Sequence, residues 1–200
     1  MSRRLGKPLP RSFYLRPTIT VAKELLGKHL VRRLQERLLI GKIVEVEAYL
    51  GEKDPASHAY RGKTKRNEVM FRKGGHLYVY FTYGMHFCCN VVTEGEGKGR
   101  AVLLRAVEPL EGVEEMRKNR RFTADRKDEW NLTNGPAKLC EAFGIRRGMN
   151  GADLLGDMLF LTEGERIPKT MIKSSTRIGV KNGAEKRWRY FVEGNKFVSR

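Results

Sequence analysis

Hydrophobic and polar positions alternate along much of this chain, and such alternation predicts β-strands. The pattern places strands at HLVRRL, at 38–49, at 101–107, and in the last quarter at MLFLT, RIGV and RWRYFV, with a turn at Asn182-Gly183. Two alternating apolar runs separated by Gly84 predict a β-hairpin over 77–92, whose turn lies near Thr82-Tyr83-Gly84.

Three segments instead have the signals of helices. A short helix is predicted at 20–26, stopped by Gly27, and another from Leu110 to Asn119, with acidic residues early and basic residues late. The helix at 135–144 has Pro136 in its first turn and a glycine as its stop. Strands and helices do not alternate regularly, so we expect an α+β fold around a curved, mostly antiparallel sheet with a protruding hairpin. We predict one domain over 1–200, with residues 1–15 as a flexible N-terminus.

Composition fits a globular protein and argues against several other classes. The chain is 40% hydrophobic, and no stretch approaches the length of a membrane span. Its basic start lacks the apolar segment of a secretory signal, and with three cysteines, of which Cys88 and Cys89 are adjacent, a disulfide framework is not expected. We therefore expect a cytoplasmic protein.

The net charge indicates what kind of molecule the protein binds. Lys and Arg number 40 against 23 Asp and Glu, which gives +17 and a pI near 10.1. Six of the basic residues lie in RGKTKRNEVMFRK at 61–73, where only Glu68 opposes them. A solubilising surface or an anionic membrane would also suit this charge, but the chain has no basic amphipathic helix with an apolar face. DNA or RNA is the favoured partner.

Carboxylates on the strand at 38–49 are candidates for chemistry. Alternation puts Glu45, Glu47 and Tyr49 on one face and the apolar residues on the other. The same pattern is typical of a strand whose polar face lies in water, and alternation does not choose between the two glutamates. Arg105, on the strand at 101–107, has Leu103 and Val107 on its own side and needs a partner such as a glutamate of this strand. A structural ion pair and a catalytic one fit it equally.

Other candidate groups give weaker signals. His58 follows a turn at Asp54-Pro55, and a lone histidine is more often structural than catalytic. The chain's four histidines and three cysteines have no zinc-binding spacing, so we expect no metal and no cofactor. The glycine-rich loop at 95–100 lacks the strand-to-helix setting of a phosphate-binding loop.

Aromatic residues concentrate in the predicted hairpin, where YVYFTYGMHF at 78–87 holds five of the chain's 18 aromatics. An aromatic side chain on a tight turn, such as Tyr83, is suited to wedge into a base stack from the minor groove. Tyr80 could stand beside Tyr49 as a second wall of a pocket for a flat base. We expect Phe81 and Phe87 to fill the core.

Seven blocks in order resemble the alkyladenine (3-methyladenine, or methylpurine) DNA glycosylases, from about Arg16 to the last residue. The blocks are IVEVEAYLG, DPASHAY, RNEVMF, LYVYFTYGMHFCCNVV, AVLLRAVEPLEG, GPAKLCEAFGI and RIGV. One departure is Phe81-Thr82, which stands where the family pattern has two aliphatic residues and affects the flank of the hairpin.

The resemblance implies a role for each matching residue. Glu47 would be the general base that activates water, held with Arg105 and the backbone carbonyl of Ile178. Tyr83 would fill the gap left by an extruded nucleotide. The base pocket would be formed by Tyr49, His58, Tyr80 and Asn90, with Asn90 at its floor disfavouring the amine of normal guanine. Contacts with the DNA backbone would come from Arg61, Lys63, Lys65, Arg66 and Met70.

The implied activity is that of a monofunctional, monomeric glycosylase that releases alkylated purines, with hypoxanthine or ethenoadenine as further candidates, from double-stranded DNA. Two alternatives stay open at this point: a non-catalytic nucleic-acid-binding module on the same fold, and an enzyme that acts on RNA.

Overall fold

A computed structural model of the chain describes residues 6–35, 37–123 and 129–199. This part contains four α-helices: α1 (Arg11–Tyr14), α2 (Thr18–Leu25), α3 (Val113–Asn119) and α4 (Pro136–Ala142). Its strands are β1 (His29–Leu34), β2 (Arg37–Tyr49), β3 (Leu77–Thr82), β4 (His86–Thr93), β5 (Arg100–Glu111), β6 (Leu159–Thr162), β7 (Ile172–Ser175) and β8 (Arg189–Val192). The α+β prediction is confirmed.

The strands form one curved antiparallel sheet in the order β3-β4-β5-β2-β1-β6, with β8 pairing with both β2 and β7. The central strand is β2, since β5 runs along one of its edges and β1 and β8 share the other. Residues at the centre of a sheet have neighbours on both edges and both faces. Side chains from distant parts of the chain therefore meet along β2.

Three irregularities interrupt the pairing of β2 with β5, and two of them flank Glu45. Ile43 pairs with Val107 and Glu45 with Ala106, which leaves Val44 unpaired; Val46 then pairs with Leu104, which leaves Arg105 unpaired. A bulge of this kind redirects side chains. Leu104, Ala106 and Val107 consequently all face the main core. The expectation that Val107 lies on the same side as Arg105 is therefore wrong.

Most of the core lies between the sheet and the helices α2 and α4. Val44, Val46 and Ala48 are buried there, as the alternation along β2 predicts. Packing is close at Gly41, where an added Cβ would lie 2.8 Å from Val107 Cγ2 and 3.1 Å from Phe143 Cζ. Gly41 thus lets the ring that follows α4 approach the backbone of β2.

Several element boundaries differ from those predicted. RIGV at 177–180 is a loop and turn between β7 and β8, and strand β7, which pairs with β8, was not predicted. Strand β5 continues to Glu111, and Gly112, with a φ of 76°, separates it from helix α3. The predicted helix from Leu110 therefore begins at Val113.

The N-terminal segment is also more ordered than expected. Leu9, Phe13 and Tyr14 are buried in the main core, and Pro8 forms a β-bridge with Thr162. The prediction of a flexible N-terminus is thus wrong for residues 6–15, and residues 1–5 lie outside the described part. Within the residues described, no helix has the length and apolar character to cross a membrane.

The predicted hairpin is formed by β3 and β4. Tyr83 and Gly84 have φ values of 50° and 67°, and the Met85 amide donates to the Thr82 carbonyl, so the chain reverses in a tight turn. Tyr83 is 84% exposed at the tip. Phe81 is exposed as well, at 38%, which contradicts its assignment to the core, whereas Phe87 packs against the main core.

Close packing at Gly41 can be tested by replacing it with alanine. We expect Gly41→Ala to destabilise the fold by about 1–3 kcal/mol, because neither Val107 nor Phe143 has room to move away from the new methyl group. Urea or thermal unfolding measures the change. Gly148→Ala is the matched control, because a Cβ there meets nothing within 4 Å. Equal stability of the two variants would contradict this account of the packing.

Candidate active site

A cavity of about 450 Å³ opens beside the hairpin, between β2, the sheet edge formed by β3–β5, and the loop that contains RIGV. It brings together eight of the residues expected to form the site. These are Glu47, Tyr49, His58, Tyr80, Tyr83, Asn90, Arg105 and Ile178. They come from widely separated segments of the chain, and the resemblance implies that they form one site.

Glu47 is fully buried, and three donors hold its carboxylate. The Ile178 amide donates to Oε1 at 2.8 Å, and the Tyr49 hydroxyl donates to Oε2 at 2.9 Å. Arg105 Nη1 lies 3.3 Å from Oε1. A carboxylate has about four lone-pair directions, so one stays available for a water molecule or a substrate. The alternative of a polar face in water is wrong for this strand.

Arg105 bridges the two glutamates of β2. Its Nε donates to Glu45 Oε1 at 2.9 Å while Nη1 faces Glu47. Burial alone would lower the pKa of Arg105, but the charges of Glu47 and Glu45 raise it above its ordinary value. Burial would likewise raise the pKa of Glu45, yet Arg105 and hydrogen bonds from Ser199 and Arg189 hold it below its usual range. Arg105 and Glu45 therefore stay ionised as a pair.

Aromatic rings form the walls of the cavity. Tyr78 and Tyr80 are stacked with centroids 5.6 Å apart, and His58 meets Tyr80 edge-on at 4.5 Å. The Tyr78 hydroxyl and His58 Nδ1 are hydrogen-bonded at 3.0 Å. Burial, and then the charge of Arg66, lowers the pKa of His58. A neutral imidazole thus faces the cavity at neutral pH.

The tyrosines remain phenols. Burial raises the pKa of Tyr78 to about 12. The pKa of Tyr49 is raised by burial and then by the neighbouring charge of Glu47, and that of Tyr80 mainly by burial. Tyr49 is therefore kept as a hydrogen-bond donor to Glu47.

Small buried groups form the floor. Asn90 is almost fully buried, and its Nδ2 reaches the Tyr78 carbonyl at 3.4 Å, so the side-chain oxygen is available to the cavity. Cys88 lies beside Tyr80, and burial raises the pKa of its thiol to about 11. The thiol is therefore protonated and acts as a small apolar wall.

Ile178 is held in place by the residue before it. Arg177 is buried, pairs with both oxygens of Asp54 (2.5 and 2.8 Å) and donates to the Ala48 carbonyl at 3.1 Å. Its guanidinium also lies 4.7 Å from the centre of the Tyr49 ring. This pair was not predicted from the sequence, although Asp54 and Arg177 lie in two of the blocks that carry the family resemblance, DPASHAY and RIGV. The pair fixes the loop so that the Ile178 amide points at Glu47.

The basic residues of the segment 61–73 border the cavity without entering it. Arg61, Lys63, Lys65 and Arg66 are all exposed, and Arg66 reaches the Phe81 carbonyl of the hairpin at 3.4 Å. Met70 differs from them, because its side chain is buried in the cavity wall and its amide donates to the Asn67 carbonyl. Its contact with the DNA backbone stays a prediction.

The arrangement is suited to hydrolysis of a bound planar group. It offers an oriented carboxylate, an adjacent guanidinium and aromatic walls, beside an exposed aromatic tip and a cationic surface. Among the described residues, no group of three His, Cys, Asp or Glu side chains could hold a metal ion.

Comparison with known proteins identifies the family. The sequence model described as "Methylpurine-DNA glycosylase (MPG)" matches residues 12–196. A protein of Carboxydothermus hydrogenoformans is 50% identical over 193 residues, covering 96% of this chain and 98% of its own length. One of Chlorobaculum tepidum is 46% identical over 195 residues, covering 97% of this chain and 91% of its own.

Both relatives are named "Putative 3-methyladenine DNA glycosylase", as is a Clostridium acetobutylicum protein that is 47% identical over 200 residues and covers 96% of this chain and 97% of its own. The resemblance drawn from the seven sequence blocks is confirmed. The chain belongs to the methylpurine-DNA glycosylase family, whose members are hydrolases acting on N-glycosyl bonds.

Proposed function

We propose that this enzyme is a monofunctional glycosylase that excises alkylated purines, such as 3-methyladenine and 7-methylguanine, from duplex DNA. The damaged nucleotide leaves the helix and enters the aromatic cavity, and Glu47 activates the water that replaces the base. One observation carries the proposal: a fully buried carboxylate, held by three donors, lies in a cavity of nucleobase size.

The chemistry follows from the charges at the bond that breaks. Cleavage of a purine–deoxyribose bond develops an oxocarbenium-like sugar. A purine alkylated at N3 or N7 is already cationic, so it leaves without much help from an acid. Glu47 then has two tasks, to accept the proton of the attacking water and to stabilise the positive sugar. Arg105 and the Ile178 carbonyl are proposed to hold that water.

The cavity walls suit a cationic purine. The faces of Tyr49 and Tyr80 carry negative potential, which attracts a positively charged ring. The lowered pKa of His58 keeps that side chain neutral, so it does not repel the base. Asn90 at the floor is proposed to disfavour the exocyclic amine of guanine. A neutral lesion such as hypoxanthine would lack the cation–π attraction and leave more slowly.

The duplex is proposed to lie across the hairpin tip and the basic segment. Tyr83 would enter the base stack and occupy the space of the extruded nucleotide. Arg61, Lys63, Lys65 and Arg66 would contact phosphates on either side of the lesion. No symmetric contact is needed for this reaction, and we expect a monomer to perform it.

Replacement of the proposed base gives the central test. We expect Glu47→Gln to slow base release from methylated duplex by at least about a hundredfold, because the amide cannot accept the proton of water. Affinity for the duplex should persist. Single-turnover release of the free base, together with gel-shift binding, measures both. This outcome also distinguishes an enzyme from a non-catalytic binding module.

Glu108→Gln is the control for that test, since Glu108 is a paired carboxylate on β5 whose partners, Lys42 and Asn195, lie outside the cavity. It should leave the rate per folded molecule unchanged. Release by Glu47→Gln at the wild-type rate would remove Glu47 from its role. The abasic strand should stay intact, and borohydride should trap no protein–DNA adduct; a trapped adduct lost in Lys181→Ala would instead identify that exposed lysine of the cavity as a nucleophile.

Tyr83→Ala tests the wedge. We expect affinity for lesion duplex to fall roughly ten- to a hundredfold, because stacking on an aromatic ring contributes about 1–3 kcal/mol per base. Affinity for methylated single strands should change little, since their bases are already unstacked. Met158→Ala, at another exposed apolar side chain (50%) on the β6 side of the sheet, is the control. An equal loss on both substrates would contradict the wedge.

The proposed phosphate contacts predict a strong dependence on salt. Each of Lys65→Ala and Arg66→Ala should reduce the slope of log Kd against log salt concentration by about one, because one phosphate contact is removed. Lys173→Ala, which removes an exposed cation paired with Glu193, should leave the slope unchanged. Binding that is insensitive to salt in the wild type would rule out the basic segment as a DNA surface.

A further inference from the structure

Ser199 lies inside the charged cluster behind the proposed general base. It is 8% exposed, although it lies in the segment after the last strand. Its amide donates to Glu45 Oε2 at 2.6 Å and its hydroxyl to Glu45 Oε1 at 2.7 Å. The same hydroxyl accepts a hydrogen bond from Arg105 Nη2 at 3.2 Å. Ser199 thus contacts both members of the Arg105–Glu45 ion pair, which lies behind Glu47.

Two further contacts hold the segment in place. Phe197 is buried in the main core, and Arg189 of β8 donates to the Ser199 carbonyl at 3.0 Å. Arg189 also donates to Glu45 Oε1 at 2.6 Å, so Glu45 accepts from two arginines and one serine. These contacts fix Ser199 against β2 independently of any bound DNA.

The geometry determines which way the Arg105 guanidinium faces. Its Nε is engaged by Glu45 and its Nη2 by Ser199, and only Nη1 is directed at Glu47. The fork of an arginine is planar, so two fixed donors define the direction of the third. Without the Ser199 hydroxyl, Nη2 would lose a buried acceptor, and the planar guanidinium could turn as a unit about the Cδ–Nε bond.

We propose that Ser199, acting with Glu45, is a positioning residue for base excision: it orients Arg105 so that Nη1 holds Glu47 and the attacking water in line with the sugar. The inference rests on the proposed function of Glu47. Ser199 itself touches neither DNA nor the water; its effect on the rate passes through Arg105.

Removing the Ser199 hydroxyl distinguishes a positioning role from a purely structural one. Ser199→Ala keeps the backbone amide that binds Glu45 and removes only the hydroxyl between Glu45 and Arg105. We expect its single-turnover rate of 7-methylguanine release to fall about ten- to a hundredfold, the loss typical of a reacting group displaced by a fraction of an ångström to an ångström. Its Kd for the same duplex should stay within twofold of wild type.

Ser175→Ala is the matched control. The Ser175 hydroxyl accepts a hydrogen bond from Arg189 Nη1 at 3.0 Å. It therefore belongs to the hydrogen-bond network of Glu45 and Ser199, but it does not contact Arg105. With folded enzyme in excess and saturating, all of the DNA is bound, so the single-turnover rate constant does not depend on what fraction of the enzyme is folded. The rate constant of Ser175→Ala should therefore match the wild type.

The outcomes separate the two hypotheses. If the wild type releases no methylated purine, the proposed function itself fails. If the wild type is active and Ser199→Ala reacts at the same rate, or is slowed only as much as Ser175→Ala, the positioning role is overturned. A rise in Kd without a change in the rate constant would overturn it as well, because it would place Ser199 in DNA binding.

Discussion

The buried ion cluster around Arg105 is the constraint on which the site depends. Two glutamates that are completely buried on one strand repel each other unless a cation lies between them. Removing one partner from a buried carboxylate–cation pair costs about 3–5 kcal/mol. Arg105 lies between Glu45 and Glu47, and Arg189 neutralises the second negative charge. The fold must therefore bring β2, β5 and β8 together before either glutamate can be buried at low cost.

Geometry at the bulge explains how a charged group lies within an otherwise apolar sheet. Alternation along β5 puts Leu104 and Ala106 on the core side and Arg105 on the side of the glutamates. In regular pairing Arg105 would also have one β2 residue directly opposite. The shift between Glu45 and Val46 leaves it without such a partner, so its guanidinium lies between Glu45 and Glu47 and contacts both.

Much of the fold could be predicted because its signals are local. The alternation in β2, the glycine turn of the hairpin and the proline at the start of α4 act within a few residues, and all three were correctly read. RIGV was misassigned because its apolar residues have strand propensity, while tertiary contacts determine its conformation: Arg177 pairs with Asp54, and Ile178 donates to Glu47. The contacts of Ser199 with Glu45 span 154 residues, and no local pattern indicates them.

The hairpin links the proposed extrusion of the nucleotide at its tip to the proposed cleavage in the cavity. Tyr83 at its tip and Tyr80 in the cavity wall belong to the same strand-and-turn segment, so a rise of about 3.3 Å per residue separates them by roughly 10 Å. A nucleotide displaced from the stack by the tip needs to move over a distance of this order to reach the wall. Tyr83 adopts a positive φ, which is unfavourable for a bulky residue, and its ring is exposed. Neither property stabilises the free protein, whereas both would present the ring to a duplex in the proposed binding mode, and the short turn keeps the proposed wedge beside the cavity that contains Glu47.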